Sequence, residues 1–146
     1  MDDLREIIAE WQAGGAFIGS NASGGKVQMG ATGEQSGISP MELVLAALGG
    51  CTGGDVASTL EKKRQPLNAL KIRVRGKRSE TYPRVYTEIE VQYLLWGDGL
   101  DEEAVRQAIA LSEEKYCSVN AMLKASVNIR FSYQIMESSG RKISEN

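Results

Sequence analysis

Apolar and polar positions alternate along this chain with two periods, and the changes of period mark its elements. In Leu70-Lys71-Ile72-Arg73-Val74-Arg75-Gly76 apolar and basic residues take turns. A period of two predicts a strand with one buried face. Val85–Tyr93 alternates with apolar residues at 85, 89, 91 and 93, and Ala125–Tyr133 alternates again. Tyr82-Pro83 supplies the turn between the first two strands. Between the second and third, Asp101 stands where a helix is capped and Glu102 and Glu103 enrich its first turn. Val105, Ile109 and Tyr116 form the apolar stripe of that helix.

A longer helix precedes these strands. Ser39 suits an N-cap, Pro40 is pre-set for the first helical position, and Glu42, three residues after Ser39, completes a capping box. Apolar residues then run through Met41, Leu43, Val44, Ala47, Leu48, Cys51, Val56 and Leu60. The basic cluster Lys62-Lys63-Arg64 suits the negative end of the helix dipole, and Pro66 stops the element. A helix this long and apolar is expected to be the buried central element.

The start of the chain is ambiguous by pattern alone. Leu4, Ile7, Ile8 and Trp11 fit a helical stripe, and the same stretch suits a strand leading into the Gly14-Gly15 turn. Residues 13–37 are glycine-rich and read as hairpin loops around two short strands, at Phe17-Ile18 and Lys26–Met29. The order is a β-rich start, a long helix, a β hairpin, a helix and a strand. It predicts an α+β fold, with the helices, the long central one foremost, packed against a largely antiparallel sheet. A length of 146 residues predicts one domain over 1–146. The polar tail 139–146 is expected to fray.

Composition narrows the function. Apolar residues at 42% and charged residues at 25% are ordinary for a globular protein. A net charge of −2 argues against a nucleic-acid binder, which would carry a basic face. The longest apolar run, Leu43–Leu48, is short for a membrane span, and the first residues do not read as a leader, so the expected location is cytoplasmic. The chain has no histidine, which removes Ser-His-Asp and Cys-His catalysis. Two cysteines cannot close a four-ligand zinc site, so no metal and no cofactor are expected; a mixed cysteine–carboxylate site is the one arrangement left.

The chemistry that remains is thiol chemistry. Cys51 lies in Gly49-Gly50-Cys51-Thr52-Gly53-Gly54, four glycines inside one predicted helix. Each costs about 0.5–1 kcal/mol relative to alanine, about 2–4 kcal/mol together. Close packing against another helix accounts for such a cost, and so does room for a substrate to reach a thiol. Cys117 falls near the end of the second helix. A lasting structural disulfide does not suit the cytosol, which leaves a transient redox pair or two inert buried thiols.

Two segments carry a resemblance. Ser39-Pro40-Met41-Glu42-Leu43-Val44-Leu45-Ala46-Ala47-Leu48-Gly49-Gly50-Cys51 resembles the first cysteine motif of the OsmC/Ohr family, and Tyr116-Cys117-Ser118-Val119-Asn120-Ala121 its second. The resemblance implies a two-layer α+β fold made as an intertwined homodimer with active sites at the subunit interface, and an activity in oxidative stress defence, the reduction of organic hydroperoxides. Cys51 would attack the peroxide as thiolate and become a sulfenic acid, and Cys117 would condense with it to a disulfide. A dithiol reductant, lipoyl-type or a small thiol, would restore both.

Hydroperoxide-reducing members have a glutamate directly after the motif's proline and an arginine after a glycine pair near the N-terminus. Here Met41 and Ala16 stand at those positions. Met41 and Glu42 are the substrate-binding candidates by position, with Glu42 also closing the capping box. The start of the second helix, Arg84 or a partner chain's Lys26-type lysine are candidate sources of positive charge for the thiol. The alternative function is a redox sensor or small-molecule binder on the same fold without efficient peroxide turnover. A third reading is a structural dimer with inert cysteines.

Overall fold

Ser39 and Glu42 open the long helix as their spacing predicts. In the computed structural model, which describes residues 4–32 and 35–146, Glu42 N–H donates to Ser39 Oγ at 3.1 Å and Ser39 N–H donates to a Glu42 carboxylate oxygen at 2.9 Å. The helix, α1, spans Pro40–Lys62. It ends in a turn with Arg64 at φ 55° and Gln65 N–H donating to the Leu60 carbonyl. An arginine thus takes the left-handed position that glycine usually fills.

By its internal contacts the chain, read from its length as one domain, divides into two compact units, residues 1–44 and 45–146. The first holds β1 (Ile7–Trp11), β2 (Phe17–Asn21) and β3 (Lys26–Met29) in an antiparallel sheet of that order. A two-residue-per-strand hairpin follows, β4 (Ala31–Thr32) with β5 (Gln35–Ser36). The ambiguity over Leu4–Trp11 is resolved in favour of a strand. The register Ile7↔Asn21, Ala9↔Gly19, Trp11↔Phe17 and Phe17↔Met29 gathers Ile7, Ala9, Trp11, Phe17, Val27 and Met29 on one face. That apolar face is open: Ile7 is 66% and Trp11 63% exposed.

The second unit carries β6 (Ala69–Arg78), β7 (Tyr86–Trp96), α2 (Glu102–Leu111), a π-helical turn (Ser112–Tyr116), α3 (Ser118–Leu123), β8 (Asn128–Met136) and β9 (Lys142–Glu145). The strand order is β6-β7-β8-β9. β6–β7 and β8–β9 are antiparallel, but β7 and β8 run parallel, from Glu88↔Asn128 to Trp96↔Met136. A parallel pair needs a long crossover, and α2, the π turn and α3 are that crossover. The arrangement is largely antiparallel, as alternation suggested, and this sheet is mixed at the β7–β8 pair. Ile89, Val91, Tyr93 and Leu95 of β7 and Tyr133 and Ile135 of β8 form its buried face.

Three expectations need correction. The tail read as frayed is strand β9 over Lys142–Glu145. Gly140, at φ 98°, turns the chain back, and Lys142 and Glu145 are the charged side chains that an edge strand tolerates. Val85 is 52% exposed and outside the strand, while Tyr86 is buried, because the register shifts at Lys77/Arg78 and β7 spends one extra residue there. Tyr116 is 51% exposed, since the π turn breaks the helical period after Leu111.

α1 is long and apolar enough to cross a membrane by length and composition. Its Leu48, Thr52, Gly53, Val56 and Leu60 are buried instead in the core of this unit. Two of its four glycines explain the fit. A Cβ at Gly53 would stand 2.8 Å from Ile72 Cγ1, and one at Gly49 3.2 Å from Val74 Cγ2. Only glycine lets the helix lie this close on β6. Gly50 and Gly54 have nothing within 4 Å of a Cβ. Gly50→Ala should then raise stability by about 0.5–1 kcal/mol through helix propensity. Gly53→Ala should lower it by about 1–2 kcal/mol, since overpacking outweighs that gain. Urea unfolding of the two variants reads the difference, and equal shifts would contradict the close approach.

The basic stripe of β6 proves to be a solvated face. Arg75 and Arg130 both bind the Glu90 carboxylate, at 2.7 and 2.9 Å, and the Lys71 ammonium sits 5.6 Å from the centre of the Trp96 ring. Exposed pairs of this kind contribute little to stability.

Candidate functional site

Two elements distant in sequence bring the thiols together. Cys51 sits halfway along α1, half-buried, and Asp55 follows one helical turn later on the same face. Cys117 is buried, 3% exposed, between the π turn and α3. The two sulfurs and an Asp55 carboxylate oxygen all lie within 4.8 Å of one another, and both cysteines are free thiols.

The placement of Cys117 follows from local backbone. Its N–H donates to the Ser112 carbonyl at 2.9 Å, the i→i+5 bond that defines the π turn. Its own Sγ caps α3 by accepting the Asn120 N–H at 3.4 Å. Asn120 is buried, and its side-chain amide donates to the Glu113 carbonyl at 3.0 Å, tying the turn to the helix. Asn120 Oδ1 is buried without a partner among the described residues.

Behind the thiols runs a chain of buried hydroxyls with a fixed direction. Ser112 Oγ donates to Asp55 Oδ2 at 2.9 Å. Its single proton is thereby committed, so the 2.8 Å bond between Thr52 and Ser112 uses the Thr52 proton. The short bond between Thr52 and Tyr93 then uses the Tyr93 proton. Every donor points toward the carboxylate: Tyr93 to Thr52 to Ser112 to Asp55.

Electrostatics distinguish the groups. Burial pushes the Cys117 thiol up to about 11; the Asn120 N–H opposes this, while the adjoining Cys51 and the Asp55 charge add to it. Cys117 is therefore a neutral thiol near pH 7. Burial likewise raises the Tyr93 phenol well above its ordinary range, with the Thr52 bond partly opposing. A carboxylate, that of Asp55, is built beside the pair.

The other candidates take different places. Met41 and Glu42 lie in the first turn of α1, within the first unit. The Glu42 carboxylate is engaged by the Ser39 N–H and hydroxyl, which hold it below the ordinary carboxylate range. Arg84 Nε donates to the Ser79 carbonyl in its own loop, and Lys26 opens β3 in the first unit. The start of α2 is capped by the Asp101 side chain, which accepts the Glu103 N–H at 3.2 Å; it is α3 that presents an N–H to a cysteine. Thr52, Asp55, Tyr93 and Ser112 were not among the sequence candidates. Asp55 alone carried a local signal, its i, i+4 spacing from Cys51.

Comparison with known proteins gives the family and the fold. The model of the OsmC-like protein family matches residues 33–132, and the chain belongs to that family. It is 40% identical over 127 residues to protein YhfA of Escherichia coli (strain K12), covering 87% of this chain and 95% of that one. A hypothetical protein from Aquifex aeolicus VF5 superposes with a TM-score of 0.83 at 38% identity, over 93% of this chain and 98% of the other. The organic hydroperoxide resistance protein OhrB of Bacillus subtilis shares the fold at a TM-score of 0.60 and 15% identity, over 89% and 97% of the two chains.

Proposed function

We propose that the protein reduces organic hydroperoxides in the reducing cytoplasm, with Cys51 as the attacking thiolate and Cys117 as the resolving thiol. The observation that carries this reading is the approach of two free sulfurs, from a core helix and a crossover turn, to within 4.8 Å. Family membership and the likeness in fold to a hydroperoxide resistance protein support it. Cys51 is the attacker because it is the more exposed sulfur, with open space at Gly50 and Gly54 beside it. Its thiolate takes the distal peroxide oxygen, giving Cys51 sulfenic acid and the alcohol. Cys117 displaces that oxygen as water, and the disulfide forms. A dithiol then returns two hydrogens to the pair and leaves as its own disulfide.

One equivalent of cumene hydroperoxide should convert two free thiols to none, with the mass of the chain reduced by two hydrogens. Added dithiol should then sustain peroxide consumption. Thiols that survive the peroxide would overturn the reading. The carboxylate beside the pair, where a cation would assist a fast thiolate, favours the second reading: a redox sensor whose thiols oxidise without rapid cycling.

The family resemblance also implies a homodimer, and the open apolar face of Ile7, Trp11 and Phe17 supports one. The protein should sediment as a dimer, and Ile7→Glu with Trp11→Glu should give a monomer. A wild-type monomer at tens of micromolar protein would sink this assignment.

A further inference from the structure

A disulfide uses two sulfurs and no carboxylate, so the redox pair leaves Asp55 unexplained. We propose that the reduced protein binds one thiophilic divalent cation, of the Zn2+ or Cd2+ class, through Cys51 Sγ, Cys117 Sγ and an Asp55 carboxylate oxygen.

The three donor atoms lie within 4.8 Å of one another. In a tetrahedral zinc site, with zinc–sulfur bonds of about 2.3 Å, two sulfurs stand about 3.8 Å apart. Small rotations of the half-buried Cys51 and Asp55 side chains close that gap. The pair on α1 has the i, i+4 spacing that puts two ligands on one helical face. The supporting hydrogen bonds are present as well. The Ser112 hydroxyl holds Asp55 by Oδ2. Ligating carboxylates are held in this way by an outer layer of donors. Cys117 Sγ accepts the Asn120 N–H, a bond that a metal thiolate keeps. Two thiolates and a carboxylate leave the fourth position of the cation open for water.

Binding releases two protons, one from each thiol, and leaves the loaded site with a charge of −1. Both sulfurs are ligands, so the cation and the disulfide exclude each other. Diamide, which takes two electrons from the thiolates and two protons from water as it becomes the hydrazine, joins the sulfurs and expels the cation. The inference goes beyond hydroperoxide reduction, since it needs no peroxide.

The test uses the reduced full chain with Co2+ as the probe and Zn2+ as its competitor. One equivalent of Co2+ should produce a thiolate-to-cobalt band in the near ultraviolet and the visible bands of a four-coordinate ion. Zn2+ should abolish both, and Cys51→Ser, left with one thiolate, should show at most about half of the thiolate band. Asp55→Asn should weaken Zn2+ at least about tenfold against a chromophoric chelator, and diamide should release one Zn2+ per chain. Absence of the thiolate band, or Asp55→Asn binding as tightly as wild type, would overturn the site. If Asp55→Asn does not fold, the wild-type cobalt spectrum decides: weak six-coordinate bands overturn the proposal. Turnover measured in chelator keeps the hydroperoxide reading separate, because either result can fail alone.

Discussion

Cys51→Ser should lose dithiol-dependent hydroperoxide turnover by about a thousandfold or more, because a serine hydroxyl at neutral pH has no thiolate to offer the peroxide oxygen. Cys117→Ser should behave differently. Its Cys51 can still attack, but no second sulfur lies within reach, so the reaction halts after one event with Cys51 as sulfenic acid. Dimedone should label that variant at Cys51 after peroxide treatment and leave wild type unlabelled. Rapid-quench measurement of peroxide loss should show one equivalent consumed by Cys117→Ser and none by Cys51→Ser. The asymmetry follows from burial. Cys117 is 3% exposed and held as a neutral thiol, so it meets an oxidised partner and not the substrate. Sulfenic acid on Cys117 in place of Cys51 would reverse the assignment.

Thr52→Val should destabilise the protein by about 2–4 kcal/mol. The side chains have nearly the same shape, so the effect isolates the hydroxyl. Thr52 is fully buried and holds the middle of the chain, accepting from Tyr93 and donating to Ser112. Valine leaves the buried Tyr93 hydroxyl without its acceptor and removes a donor from Ser112, two losses in a water-excluded core. Tyr93→Phe should cost less, about 0.5–1.5 kcal/mol, since it removes the terminal donor and leaves Thr52 still donating to Ser112. Urea unfolding separates the two. Equal values would mean that the chain does not run in the direction assigned.

Elements whose signals are local were legible in the sequence. The Ser39–Glu42 box, the Asp101 cap and the alternation of β6 and β8 each reside in a few consecutive residues, and each is present in the structure. The cysteine motifs gave the family correctly. What escaped depends on partners far along the chain. The parallel pairing of β7 with β8 is invisible to alternation, which has the same period in either direction. β9 is short and polar because it is an edge, and its composition resembles that of a loose tail. The hydroxyl chain joins residues 52, 55, 93 and 112 from three elements, so no window of sequence holds it. The glycines of α1 divide by face: Gly49 and Gly53 answer to Ile72 and Val74 on a strand, where the pattern suggested a helix partner or a substrate.

The turn from Ser112 to Tyr116 sets the phase of everything after it. An i→i+5 turn holds one residue more than an α-helical one. Were the same residues to keep the α-helical step, the extra one would swing the following chain by about 100° around the axis of α2. α2 would keep its Asp101 cap and its buried stripe, yet Cys117 would face away from Cys51. At this place the reach of the second thiol depends on the wide turn that takes up the extra residue, closed by the Cys117 N–H on the Ser112 carbonyl.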